Sequence, residues 1–468
     1  MNYNVRNRIQ SGSALLVAAA ILASPGALAQ EVEKPFRLQT ALDLPDWLKV
    51  SGSIRPRYET LHNQFFAGRT GDDDLLAVQS LLKVETDAGG VILGAELQDT
   101  RRLGGDSGGG AASEIDALEP VQIYAAWRPK DFLTQGAALD LTVGRFTMDV
   151  GSRRLVSRSG FRNILASFDG VSAVWTAPNG VAITSFYTAP VNRLPNDAPS
   201  ALDNQVELNK TAEETRFSGL ALEFLLPRSI LGQAYIFDLD EDDDDATPTR
   251  NRDLSSYGVF LKRPPKTGAI DFQIEYARQE GTVRASTNPA DVIDLDHKAH
   301  MVHAEASYTF GAPWVPRLSL QYDLATGDKS PSDLSNERFD PLFGDRSFEF
   351  GPTSIWGAIL RSNLDSPGAR LELKPGPRDE LMGMVRQVKL DDAADSFGGS
   401  GVRDASGASG KDVGTHIELR WRRQLAPGSI RLTVGSAALI RGEFLKSAPN
   451  ATQQGDSYFG YTELLFSF

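Results

Sequence analysis

The sequence predicts an all-β fold, an eighteen-stranded antiparallel transmembrane barrel. Three observations predict it: an export signal at the start, many short segments of alternating polarity, and links that alternate between tight and long.

The export signal comes first in the chain. Arg6 and Arg8 make a positive start, Ala14 to Ala23 form an apolar run, and Ala27-Leu28-Ala29 forms a small-x-small cleavage site. Residues 1–29 are therefore expected to be a signal peptide, and residues 30–468 one barrel domain. Cleavage removes two arginines and takes the formal net charge two units below −13. The apolar run is too short to span a bilayer as a helix, and no later window approaches about 18 apolar residues. Cysteine is absent, so an exported chain must draw its stability from a large core or a closed hydrogen-bond network rather than from disulfides. Glycine and aromatic residues are spread evenly, with no linker, which argues for one architecture throughout.

The second observation is period two. Val50, Gly52, Ile54, Pro56 and Tyr58 alternate with Ser51, Ser53, Arg55, Arg57 and Glu59. Ile270, Phe272, Ile274 and Tyr276 alternate with Asp271, Gln273 and Glu275, and Ile417, Leu419 and Trp421 with Glu418, Arg420 and Arg422. Successive side chains on a strand point to opposite faces. One face here is repeatedly charged and the other is apolar with aromatics near strand ends, as a membrane barrel requires.

The links are the third. Strand starts fall near Leu48, Leu75, Val91, Pro120, Ala138, Ser167, Gly180, Glu214, Ser229, Asp253, Gly268, Lys298, Val315, Gly368, Arg378, Asp412, Gly428 and Gly455. Turn-like links such as Asp87–Gly90, Pro264–Gly268 and Ala426-Pro427-Gly428 alternate with long ones such as Arg101–Glu119, Met148–Ala166 and Gly327–Pro367. An even strand number with short periplasmic turns and long extracellular loops is the bacterial outer-membrane pattern. Ile355–Leu364 also looks strand-like, but a nineteenth strand would break the alternation, so the segment is placed inside the longest external loop. The final strand carries Tyr458, Thr462, Leu464, Phe466 and Phe468 on one face, and its terminal Phe suits recognition by barrel-assembly machinery. Outer-membrane lipid and lipopolysaccharide would surround such a barrel.

The stretch Leu141-Thr142-Val143-Gly144-Arg145-Phe146, continuing through Asp149-Val150-Gly151-Ser152-Arg153-Arg154-Leu155-Val156, Phe161-Arg162-Asn163 and Phe168-Asp169-Gly170-Val171, resembles the alginate export family. So do Phe339-Asp340-Pro341-Leu342-Phe343-Gly344, Phe350-Gly351-Pro352-Thr353 and Arg361-Ser362-Asn363-Leu364. The resemblance implies an eighteen-stranded barrel and a channel for an anionic polysaccharide, with periplasmic polysaccharide-secretion proteins as partners. It fixes neither substrate nor direction.

Alginate carries a carboxylate on each uronate, so its pore should present fixed positive charge, spaced so that no single site holds too tightly. Arg55 and Arg57 lie on the polar face of the first strand, Arg128 ends the fourth, and Arg420 and Arg422 lie on the polar face of the sixteenth. Arg317 and Arg431 sit on polar faces at strand starts. Each guanidinium can fork onto a carboxylate, or can simply pair with a luminal acid such as Glu59, Glu85, Glu96 or Glu418. In the third external loop Arg153, Arg154, Arg158 and Arg162 fall within ten residues with no acid between them. Folded inward, they would form an electropositive constriction; left outside, they would meet lipopolysaccharide phosphates. Strict alternation aims Arg145 at lipid, which costs about 2–4 kcal/mol at mid-depth. A bulge at Gly144 that turns it inward is the expected solution.

Other chemistry is not expected. The run Asp240 to Asp245 reads as a solvated loop, and Gly104–Gly110 as external loop without a phosphate-binding pattern. His297, His300 and His303 alternate on a strand, so His300 points away from the other two, and no metal or cofactor site is expected. Nucleic acid is not an expected partner. The leading reading is a passive channel for alginate or a similar uronate polymer. A porin taking up small organic acids or oligosaccharides is the alternative, and an outer-membrane hydrolase a weaker one, because no nucleophile with a positioned base stands out.

Overall fold

The alternating segments form the strands because each offers one apolar face and one polar face to two different surroundings. The structure is a computed structural model describing residues 34–105, 114–242 and 248–468. The expected signal peptide, much of Gly104–Gly110 and part of the acidic run lie outside the described residues. In chain order the long strands are β1 (Leu48–His62), β2 (Asp73–Asp87), β3 (Val91–Gly104), β4 (Asp116–Trp127), β5 (Ala138–Phe146) and β6 (Phe168–Thr176). There follow β7 (Ala182–Asn192), β8 (Thr215–Leu226), β9 (Ile230–Glu241), β10 (Asp253–Arg263), β11 (Ile270–Arg284) and β12 (Asp294–Thr309). The last six are β13 (Arg317–Ala325), β14 (Leu364–Gly376), β15 (Asp379–Lys389), β16 (Asp412–Ala426), β17 (Ile430–Arg441) and β18 (Ser457–Ser467).

Each pairs antiparallel with its sequence neighbours, and β18 returns to β1 from Ser53↔Ser467 to His62↔Tyr458. The eighteen-stranded sheet therefore has no free edge, so the wall's backbone groups can be satisfied within it. Outward residues such as Leu93, Ile123, Leu320 and Leu419 are exposed, whereas Arg57, Glu59, Gln79, Glu275 and Glu418 are buried facing inward. Links of 88–90, 177–181, 227–229, 377–378 and 427–429 close one end. Loops 147–167, 193–214, 326–363 and 390–411 belong to the other.

These long loops do not leave an open tube. The third and seventh (147–167 and 326–363) run side by side through a parallel bridge between Val156 and Phe343, with Ser157 N donating to Phe343 O at 3.1 Å. Trp356 is fully buried, 5.3 Å from the Phe65 ring and 5.8 Å from Phe459 of β18. This explains Ile355–Leu364. Residues 355–363 are apolar like a strand but form none, Leu364 already opening β14, and Ile355, Trp356, Ala358 and Ile359 form part of a loop core. The loop-bearing half of the lumen holds packed apolar side chains alongside charges.

One stretch of wall is thin. The β4–β5 ladder covers only Ile123↔Arg145 to Trp127↔Leu141, and beyond it Asn209 seals the gap, its N donating to Glu119 at 2.9 Å and its Nδ2 to Asp116 at 3.0 Å.

Candidate functional site

The inward face of β1 anchors the site. Arg55 Nη2 donates to Arg162 O at 2.8 Å and Arg57 Nη1 to Phe161 O at 2.7 Å, so two wall arginines hold the third loop inside the barrel by its carbonyls. Arg57 is held in turn by Glu59, Nε to Oε1 at 2.7 Å. Between that loop and the seventh lies a cavity of about 140 Å³, lined by Arg162, Arg193, Arg346 and Arg361 with Asp345, Ser157 and Ser159.

Among the described residues, the guanidinium groups of Arg162, Arg193 and Arg346 make no hydrogen bond or ion pair, and Arg346 Nε is wholly buried without a partner. Asp345, the acid acting on Arg162 and Arg346, already accepts from Ser347 N and Oγ, each at 2.9 Å, and Asp116, the acid acting on Arg193, accepts from Gln98 Nε2 and Asn209 Nδ2, each at 3.0 Å. Burial, then the neighbouring Arg162, pulls Arg346 down to about 9 and Arg193 to about 10. Both stay charged at neutral pH, yet the direction shows cations short of compensation. Burying unpaired charge is expensive, and an anion in the cavity would relieve it.

A second basic tier lies nearer the short-turn end. Arg422 and Arg431 are diagonal neighbours across the β16–β17 ladder, facing inward without ion-pair partners among the described residues. Arg420 is 4.0 Å from Glu418 and so loosely paired, whereas Arg55, 3.7 Å from Glu463, commits its Nη groups to the third loop.

The remaining predicted arginines are engaged. Arg158 meets Glu96 at 2.7 Å, and Arg317 meets Asp271, Glu305 and Glu372 at 2.5, 2.8 and 2.8 Å. Arg128, half-exposed at the short-turn end, pairs with Asp140 at 2.7 Å. Arg153 caps the Phe348 ring at 4.9 Å. Arg154 is buried between Glu275, at 2.6 Å, and Glu349. Arg145 corrects an expectation: the ladders on both sides of Gly144 run without a register shift, so no bulge re-aims it. It shares the side of the exposed Val143 and is satisfied locally, forked onto Asp169 at 2.9 and 3.0 Å and bonded to Glu119 at 2.6 Å.

Arg193, Arg346 and Arg361 escaped the sequence reading. Loop residues carry no period, and only Arg361 fell within a recognisable block. His303, Asp323 and Glu349 bring three potential ligand atoms together. Their carboxylates already hold Arg386, Arg154 and Arg361, and three guanidinium groups occupy the place a cation would take.

A closed barrel with an apolar exterior, short turns at one end and long loops folded into a charged lumen is an outer-membrane channel. The chain belongs to the alginate export family, whose model matches residues 46–458, and it resides in the outer membrane. In fold it is similar to solved Pseudomonas aeruginosa proteins, among them the outer membrane protein OpdK. OccK8 (OprE) has a TM-score of 0.58 at 11% identity, covering 90% of this chain and 98% of that one. OccK2 (OpdF), solved in complex with glucuronate, has a TM-score of 0.55 at 13% identity over 90% and 96%. OpdK gives 0.53 at 13% over 90% and 98%. No curated protein sequence matches.

Proposed function

We propose that this barrel is a passive channel for anionic saccharides, alginate or a similar uronate polymer, performing no chemical step. The observation that carries the reading is the cavity whose three guanidinium groups lack protein partners. A uronate carboxylate accepts two parallel N–H bonds from an arginine, which a lysine cannot supply with the same geometry. The tier at Arg422, Arg431 and Arg420 offers a second resting place, so a polyanion could be handed on rather than trapped. The negative total charge does not oppose this, because the field that a solute meets is local.

Uptake of small uronic acids is the second reading. A cavity of about 140 Å³ suits one sugar unit better than a chain, and the structurally similar OccK2 was solved with glucuronate.

Planar-bilayer recording tests the channel. The native protein should select anions and be blocked by oligouronates. Arg162→Gln, Arg193→Gln and Arg346→Gln together should weaken that block about tenfold, the loss of roughly one charge-assisted hydrogen bond's worth of binding. Cation selectivity, or block undiminished in the triple variant, would reject the reading. Labelled glucuronate uptake, set against polymer release by the same cells, separates import from export.

A further inference from the structure

The seventh loop places a short helical turn, Ser347–Phe350, in the lumen beside the arginine cavity. Its Glu349 is 3% exposed and sits at a crowded cationic point. Arg154 Nη2 and Arg361 Nη2 donate to its two carboxylate oxygens, and His303 Nδ1 lies 3.5 Å away. The rest of the turn is held the same way. Arg370 Nη2 donates to Phe348 O and Glu349 O at 3.1 Å each, and Arg361 Nη1 to Asp345 O at 2.8 Å. The Phe348 ring lies 4.9 Å from the Arg153 guanidinium and 5.6 Å from that of Arg361. The turn thus shows arginines a carboxylate flanked by an apolar face. A uronate shows them the same two things.

We propose that Arg154 and Arg361 form a second carboxylate-binding site, which the chain fills with its own Glu349, and that an arriving uronate carboxylate displaces Glu349 and releases the Ser347–Phe350 turn. Arg361 is the link, since it lines the open cavity and also holds Glu349. Charge supports the assignment. Three guanidinium groups, Arg154, Arg361 and Arg386, face three carboxylates, Glu275, Glu349 and Asp323; without Glu349 one guanidinium charge is left to attract an anion. A tethered carboxylate competes at an effective concentration in the millimolar range. A single free uronate therefore displaces it poorly, whereas a polymer presenting many carboxylates does so readily. The displacement half rests on the proposed passage of uronates; the internal occupancy by Glu349 does not.

The chain has no cysteine, so Ser347→Cys supplies a single reporter for a membrane-impermeant maleimide on the protein refolded in detergent. Labelling should be slow with Glu349 in place. Oligogalacturonate should speed it, and a neutral glucose oligomer should not. In Glu349→Gln labelling should be at least about twofold faster without any saccharide, because an amide holds two arginines more weakly than a carboxylate, and Glu349→Asp should restore part of the delay. Slow labelling in Glu349→Gln would overturn the internal-ligand assignment. Fast labelling there with no oligogalacturonate effect on the native glutamate would overturn displacement alone. Anion selectivity, measured on the same preparations, reports separately on the channel reading. Retention of the heat-modifiable gel mobility certifies each barrel, and Arg361→Gln probes the same contact from the other partner if Glu349→Gln does not assemble.

Discussion

Two arginines show how placement decides what a charge is worth. Arg145 is mostly enclosed at the thin β4–β5 seam between Asp169 and Glu119, while Arg128 is 42% exposed in its side chain and pairs with a similarly exposed Asp140. Removing Arg145 strands two acids that cannot reach water freely, a loss on the order of 3 kcal/mol for a buried pair broken from one side. Removing Arg128 costs less than about 1 kcal/mol, because solvent already screens it. Urea unfolding of Arg145→Met and Arg128→Met in lipid vesicles should show that contrast; equal losses would mean Arg145 is not held as described. Alternation placed Arg55, Arg57, Arg422 and Arg431 on the polar face because strand residues inherit direction from period two. It could place neither Arg193 nor Arg346, whose directions come from loop packing, and at Arg145 the guess of a bulge failed because Asp169 and Glu119 satisfy the charge without one.

Elements were more legible than sites. Every long strand begins within four residues of a start read from turn chemistry and alternation, since both signals are local. Parity also kept Ile355–Leu364 out of the wall, rightly for all but Leu364, which opens β14. What the pattern lacks is a way to tell an apolar side chain facing lipid from one buried in a loop core, so the aromatic packing around Trp356 was unreadable. Closure offers a test at this scale. Gly52 N donates to Phe468 O at 2.9 Å, and Phe468 N to Gly52 O at 3.0 Å. A Cβ at residue 52 would stand 2.4 Å from Leu81 O and 2.6 Å from the Phe468 ring. Gly52→Val should therefore displace the terminal ring from the β1–β18 closing seam and lower the heat-modifiable fraction on refolding into vesicles. An unchanged yield would show that this contact does not guide closure.

Across the whole molecule, two kinds of bond hold two kinds of structure. The wall is a continuous ladder of backbone hydrogen bonds, which does not titrate. The luminal turn depends on charge, and that difference predicts how acid should act. Burial alone would raise the Glu349 carboxyl, but Arg154, His303 and Arg361 outweigh it and hold the group well below its ordinary value of 4.5. A carboxyl depressed on folding gives its full stabilisation above the ordinary value and loses it as pH falls toward the depressed one. The turn should therefore remain latched at about pH 5 and loosen only in stronger acid, while the barrel persists. Pepsin cuts on both sides of that range and favours aromatic sites such as Phe348 and Phe350; its rate at each pH is taken relative to an unfolded substrate, because its own dyad titrates at about 4.7. Cleavage inside residues 345–350 should be slow at about pH 5 and rise sharply below about pH 4, with the barrel's gel mobility intact. In Glu349→Gln, which has no carboxyl to protonate, the cut should already be fast at the higher pH and show no acid step. A native protein cut equally at both pH values, or a glutamine variant that keeps the step, would place the control of the turn in some group other than Glu349.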